Sequence, residues 1–277
     1  MRRLFPVMFQ RMMKTQMFWL CMAASMGQML YGILNNYHYT NLWDLGLTPD
    51  GTLFMGAYIL NITSAVFVAF FLGSEYSNKT IRNKIIVGYS KIEIYFTNVA
   101  VCSIGVLMMH MAAILLNATL GVALLGDYVN PKANMIYLFC SFFTVIAKTA
   151  IMVFFAMLIS SRTTSLIIAV LVAVLAGYGA MKMNMALFQE KTYEKDILDE
   201  VTWEVIDTQI VENPLYVDGE MRDLFEFLSE SIPYAQDYQY GEEELPDNIG
   251  MFPIYSIGLA TLISTGGVLI FRRKDIS

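Results

Sequence analysis

The chain has 277 residues, of which 56% are hydrophobic and 15% charged, with a formal net charge of −6. Soluble domains run near a quarter charged, so this composition excludes an ordinary soluble protein and points to the bilayer. The acidic balance gives no footing for nucleic acid. The three cysteines, Cys21, Cys102 and Cys140, fall inside apolar runs and read as core residues rather than a disulfide or metal framework.

Residues 2–14 combine Arg2, Arg3, Arg11 and Lys14 with Leu4, Met8 and Met12 at a spacing of four, which predicts an amphipathic helix lying in a membrane interface with its cations toward lipid phosphates. No cleavable leader is expected ahead of the first apolar run. That run, residues 17–34, ends in Asn35, Asn36, Tyr37 and His38 and is the first predicted span. The loop to Asp50 carries Trp43, Asp44 and Asp50 but no lysine or arginine. A second span follows at about residues 52–72.

Residues 73–91 form a polar hinge holding four of the 18 basic side chains: Lys79, Arg82, Lys84 and Lys91. Ile81, Ile85, Ile86 and Tyr89 recur at i, i+4, i+5 and i+8, so a short amphipathic helix is expected there. Beyond it, residues 94–126 run 33 positions without Asp, Glu, Lys or Arg, where about 20 suffice to cross a bilayer. The expectation is a third span over residues 94–116 and an interfacial or partly re-entrant piece over 117–126. The fourth and fifth spans fall at about residues 135–159 and 165–181.

Composition then changes. Residues 182–250 hold 18 acidic and 4 basic side chains. Met221, Leu224, Phe225 and Leu228 share one helical face, and Trp203, Val205, Ile206 and Ile210 add too much apolar content for a disordered acidic tail. The sixth span, about residues 251–271, ends at Arg272, Arg273 and Lys274. On this layout 12 of the 18 basic residues lie on the side holding both termini and the hinge, 5 lie on the other, and Lys148 sits within a span. That asymmetry makes the termini cytoplasmic and the acidic insert extracellular. The expected fold is an all-α membrane protein. Six transmembrane helices are preceded by an N-terminal interfacial helix and interrupted by a small, mainly helical extracellular insertion. Its divisions are 1–181, 182–250 and 251–277.

The hinge carries a family resemblance. Glu75, Asn78, Thr80, Ile81, Arg82, Asn83 and Lys84, in the order E-x-x-N-x-T-I-R-N-K, resemble the first cytoplasmic loop of ABC-2 type permeases, the membrane subunits of ATP-driven exporters. The N-terminal segment is similar to the elbow helix of that family. The block Asn213 to Val217, with the helix after it and Ile232-Pro233, resembles the outward domain of Firmicutes-type members. The resemblance implies that residues 75–91 are a coupling helix resting in a groove of a separate ATPase. It further implies a second permease subunit, identical or not, and two copies of the ATPase, which would carry the ATP and magnesium in a Gram-positive cell membrane. Without it, the hinge reads as a solvated basic loop.

Other motifs weigh less. Residues 73–80, G-S-E-Y-S-N-K-T, approach a P-loop, but Asn78 stands where the second glycine is needed and a span rather than a strand precedes it. No cofactor is expected on this chain, and no paired catalytic residues suggest an enzyme. Lys148 at mid-span costs roughly 2.5–3.5 kcal/mol unless it faces protein or water. Counted by helical rise, Asn61 lies at the same depth, so Asn61, Thr63, Ser64 and Lys148 are candidates for a translocation path, with His110 nearer its outer mouth; equally, Lys148 and His110 can be structural. Glu242, Glu243 and Glu244 lack calcium-loop spacing. The acidic insert leaves a second function open, a non-transporting sensor or immunity protein that captures cationic peptides.

Overall fold

A computed structural model of the chain describes residues 3–198, 205–241 and 244–275; Arg2, Trp203, Glu242 and Glu243, which the sequence reading used, lie outside them. The protein is mainly helical, with six helices long and apolar enough to cross a membrane. It opens with α1 (Leu4–Met13), whose Leu4, Met8 and Met12 are buried as the four-residue spacing predicts. Met12 approaches the third long helix at Gly105, where a Cβ would collide with the Met12 sulfur and the Phe67 ring.

α2 (Gln16–Trp43) runs nine residues past the expected end of the first span. Asn35, Asn36 and His38 are polar, yet they do not break a helix, and no glycine or proline intervenes. The helix stops only at Asp44, which adopts a left-handed conformation (φ 52°) that a short acidic side chain tolerates. The second long apolar stretch is built from α3 (Asp50–Leu53) and α4 (Gly56–Ser77), and the hinge forms α5 (Thr80–Ile86).

α6 (Lys91–Leu116) begins at a Ser90 cap that accepts from the Glu93 amide. The expected break at residue 117 does not occur. A π-helical turn, Asn117–Gly121, carries the chain directly into α7 (Val122–Leu125). The reason is local: Asn117 is fully buried, donates to Pro49 O (3.2 Å) and Thr52 Oγ1 (2.7 Å), and accepts from Tyr128 Oη (2.6 Å). A paired asparagine has no need to leave the bundle, and the bulge re-aims it.

α8 (Pro131–Leu158) and α9 (Arg162–Leu187) are the fourth and fifth long apolar helices. An antiparallel hairpin follows, β1 (Thr192–Leu198) with β2 (Val205–Glu212). The expectation of a mainly helical insert did not foresee it, although Thr192, Tyr193, Ile197, Val205, Ile206, Thr208, Ile210 and Val211 are strand-forming residue types. α10 (Glu220–Ser231) supplies the predicted helix, α11 (Pro233–Gln236) turns back toward the bundle, and α12 (Phe252–Arg273) is the sixth long apolar helix.

α4 is the hub. Of the apolar window of its crossing, 67% is buried, against 33% for α2, 28% for α12 and 22% for α9. The helices alternate in direction, so α1, α5 and the adjoining ends of α4, α6, α8, α9 and α12 gather at one end with most of the basic residues. We call this the basic end; α3, α7, the hairpin and α10 lie toward the acidic end. Lysines close the helices at the basic end. Lys274 Nζ donates to the last carbonyls of α8, Met157 O (3.2 Å) and Leu158 O (3.0 Å), while Lys91 Nζ donates to Arg272 O (3.0 Å) and Lys274 O (2.7 Å) beyond α12.

Candidate functional site

Two buried carboxylates organise the polar residues. The first is Glu75, near the end of α4. Its side chain is fully buried; Oε1 accepts from Arg11 of α1 and Lys84 of α5, and Oε2 accepts from Asn98 of α6 at 3.3 Å. Arg11 also reaches Ser74 and lies 5.0 Å over the Phe71 ring. Four helices are thus tied to one anion. Burial holds the Lys84 ammonium below the ordinary lysine value, an effect that the charge of Glu75 partly offsets.

This divides the hinge motif. Glu75 and Ile81 point inward, Lys84 is half-buried and also meets Met8 Sδ at 3.0 Å, and Thr80 Oγ1 donates to Glu75 O at 3.0 Å. Asn78, Lys79, Arg82 and Asn83 are exposed. Lys79 adopts a left-handed backbone (φ 54°) that reverses the chain between α4 and α5. The expected apolar stripe is also divided. Ile81 is buried and Ile85 half-buried, but Ile86 and Val87 are 72% and 75% exposed. The helix ends at Ile86, so the i+5 position does not fold onto the bundle. At the basic end the hinge therefore exposes Ile86 and Val87, with Arg82 one turn before Ile86 on the same face of α5.

The second carboxylate is Asp237, at mid-depth. Lys148 Nζ donates to both of its oxygens (2.8 and 2.7 Å), and Asn61 Nδ2 donates to Oδ2 at 3.1 Å. All three side chains are buried. The depth count that made Asn61 and Lys148 neighbours holds, but what joins them is an acid from the insert. α11 and the residues after it dip between the crossings. Gln236 Oε1 accepts from Thr144 (2.7 Å) and Ser256 (3.0 Å), its Nε2 donates to Glu230 O and Phe252 O, and Tyr240 Oη lies 2.6 Å from Thr144. Asp237, Tyr58, Tyr238 and Tyr240 line a recess of about 180 Å3 that continues toward Asp50 and Gly241.

The remaining candidates are not part of this cluster. Thr63 pairs with Ser25 of α2 (3.0 Å), Ser64 donates to Asn61 O, and His110 pairs with Ser141 (2.9 Å) against the Phe142 ring. Sequence reasoning missed Asp237, Gln236, Thr144 and Ser256, and it turned Arg11 toward lipid phosphates where the structure pairs it with Glu75. One signal was available: a lysine in a span demands a carboxylate, and Asp237 sits in an aromatic stretch, Tyr234 to Tyr240, unlike the other acids of the insert.

The fold defines a class, a helical protein whose six long apolar helices fit a multi-pass membrane protein. Compared with known proteins, the chain matches no family model, no curated protein and no solved structure.

Proposed function

We propose that the chain is the permease subunit of an ATP-driven exporter of the ABC-2 type, with both termini and the hinge in the cytoplasm and the acidic insert outside. The observation that carries this reading is the exposed apolar pair Ile86-Val87, with the exposed Arg82 one turn before it, at the end of a helix bolted to α1, α4 and α6 through Glu75. An exposed apolar tip beside a cation suits a protein groove. A helix so anchored passes a push into the bundle instead of absorbing it. In this reading two ATPase subunits carry ATP and magnesium, a second permease subunit completes the pore, and α1 rests in the inner interface. Export of a peptide requires the Lys148–Asp237 contact to open, because α11 and Asp237 fill the centre of the crossings.

The docking role falls to Arg82, Ile86 and Val87, while Glu75 and Lys84 transmit force. The test is reconstitution with the candidate ATPase followed by measurement of ATP hydrolysis in the purified complex. Arg82→Glu combined with Ile86→Asp is expected to abolish association while the permease still inserts and melts as wild type. Retention of the ATPase by that variant would overturn the reading.

One observation favours a second reading, a receptor for cationic peptides that does not transport. A groove of about 800 Å3 at the acidic end is lined by Glu226, Glu230, Glu244 and Asp247 together with Leu187 and Phe188. In that case no ATPase binds, and the same reconstitution separates the two.

A further inference from the structure

α9 is the least covered of the six long helices. On the face it turns to α10 and α11, Ala176, Gly179 and Ala180 fall at i, i+3 and i+4, so small side chains line one stripe. A Cβ added at Gly179 would meet nothing within 4 Å. Opposite stand Phe225, Leu228 and Ile232. Between these two walls lies an apolar slot of about 470 Å3, with Lys182 at its rim.

Depth identifies what such a slot meets. From Arg162 to Lys182 is twenty residues, or about 30 Å of helix, the thickness of the hydrocarbon layer. With Arg162 at one interface, Lys182 stands at the other, and the slot lies just beneath it. Lys182 is exposed; its ammonium sits 5.7 Å from the Tyr178 ring centroid and pairs with no carboxylate among the described residues. We propose that the slot holds an acyl chain of a membrane phospholipid whose phosphate is bound by Lys182.

Rival occupants fit less well. Water needs polar partners, which the slot walls do not provide. An apolar partner helix would leave the exposed Lys182 ammonium without an anion. A flexible hydrocarbon chain below a cation at headgroup height matches both the shape and the charge. The site depends on the chain crossing a bilayer and not on the exporter reading.

The test uses the full chain in nanodiscs containing a phosphatidylcholine with a photoactivatable acyl chain, or its phosphatidylglycerol counterpart, with crosslinks mapped by mass spectrometry. Labelling at Met183, Phe225 and Leu228 is expected to exceed that at Leu262 and Leu269, which are exposed on α12. Gly179→Leu fills the slot with a better helix former, so the fold is kept, and it should bring slot labelling down to the α12 level. Lys182→Glu should lower slot labelling by phosphatidylglycerol at least about fivefold, the weight of the lost cation alone before the repulsion of the new carboxylate is added. Labelling no stronger than on α12, or unchanged by Gly179→Leu, overturns acyl binding. Equal phosphatidylglycerol labelling in Lys182→Glu and wild type overturns the phosphate contact.

Discussion

Glu75 and Asp237 are both buried carboxylates held by lysine, yet they solve different problems. Glu75 gathers two cations, and the side chains of Arg11 and Lys84 remain 30% and 13% exposed. Being partly exposed, they can share that excess positive charge with their surroundings at the basic end. Asp237 meets one cation, and both side chains are under 5% exposed. At mid-depth nothing but the partner balances each charge, so the pair must be neutral and complete. The comparison separates an anchor that tolerates loosening from a pin that is either closed or broken.

The sharpest way to break it is at the pin. Removing one partner of a buried pair leaves an uncompensated charge, so Asp237→Ala should cost about 3–5 kcal/mol of stability in detergent. Replacing both partners with apolar residues, Lys148→Met with Asp237→Leu, should recover most of that loss. A double variant as unstable as the sum of the single ones would show that the pair is not dry. Melting temperatures of wild type, Lys148→Met alone, Asp237→Leu alone and the double variant decide it.

Glu75→Ala should cost less, about 1–3 kcal/mol, because the freed Arg11 and Lys84 can reach water. A loss equal to that of Asp237→Ala would erase the distinction. Lys84→Glu should destabilise as well, whereas Arg82→Glu, with its side chain in solvent, should change stability by no more than about 0.5 kcal/mol. A neutral contact is of similar size. Thr63→Val removes the bond to Ser25 and should cost about 0.6 kcal/mol, the average for such bonds between membrane helices.

A further test is a pH slope at the basic end. Burial pulls Lys274 down from 10.5 to about 8. The unfolded chain keeps this proton up to about 10.5 while the folded chain sheds it near 8. The unfolded state therefore binds more protons across that window, and stability rises with pH there. Below about pH 8 the contribution is flat. Melting curves at pH 7.5, 8.5 and 9.5 should show wild type gaining on Lys274→Met; parallel curves would mean that the ammonium is solvated.

What the sequence determined was what accumulates along a continuous stretch. Six long apolar runs, the buried stripe of α1, a short helix in the hinge and the segregation of basic residues were legible because each is a local sum of hydrophobicity, spacing and charge. Lys148 even announced that a partner was needed. The tertiary structure alone decided which acid answered it, since Asp237 lies 89 residues away in an insert with many carboxylates. It likewise turned Glu75 and Lys84 from surface groups into an internal anchor, kept residues 117–125 helical by pairing Asn117 and left Ile86 uncovered. In each case the outcome hangs on which distant backbone comes within about 3 Å of a polar atom, and a buried polar atom accepts no substitute for that partner.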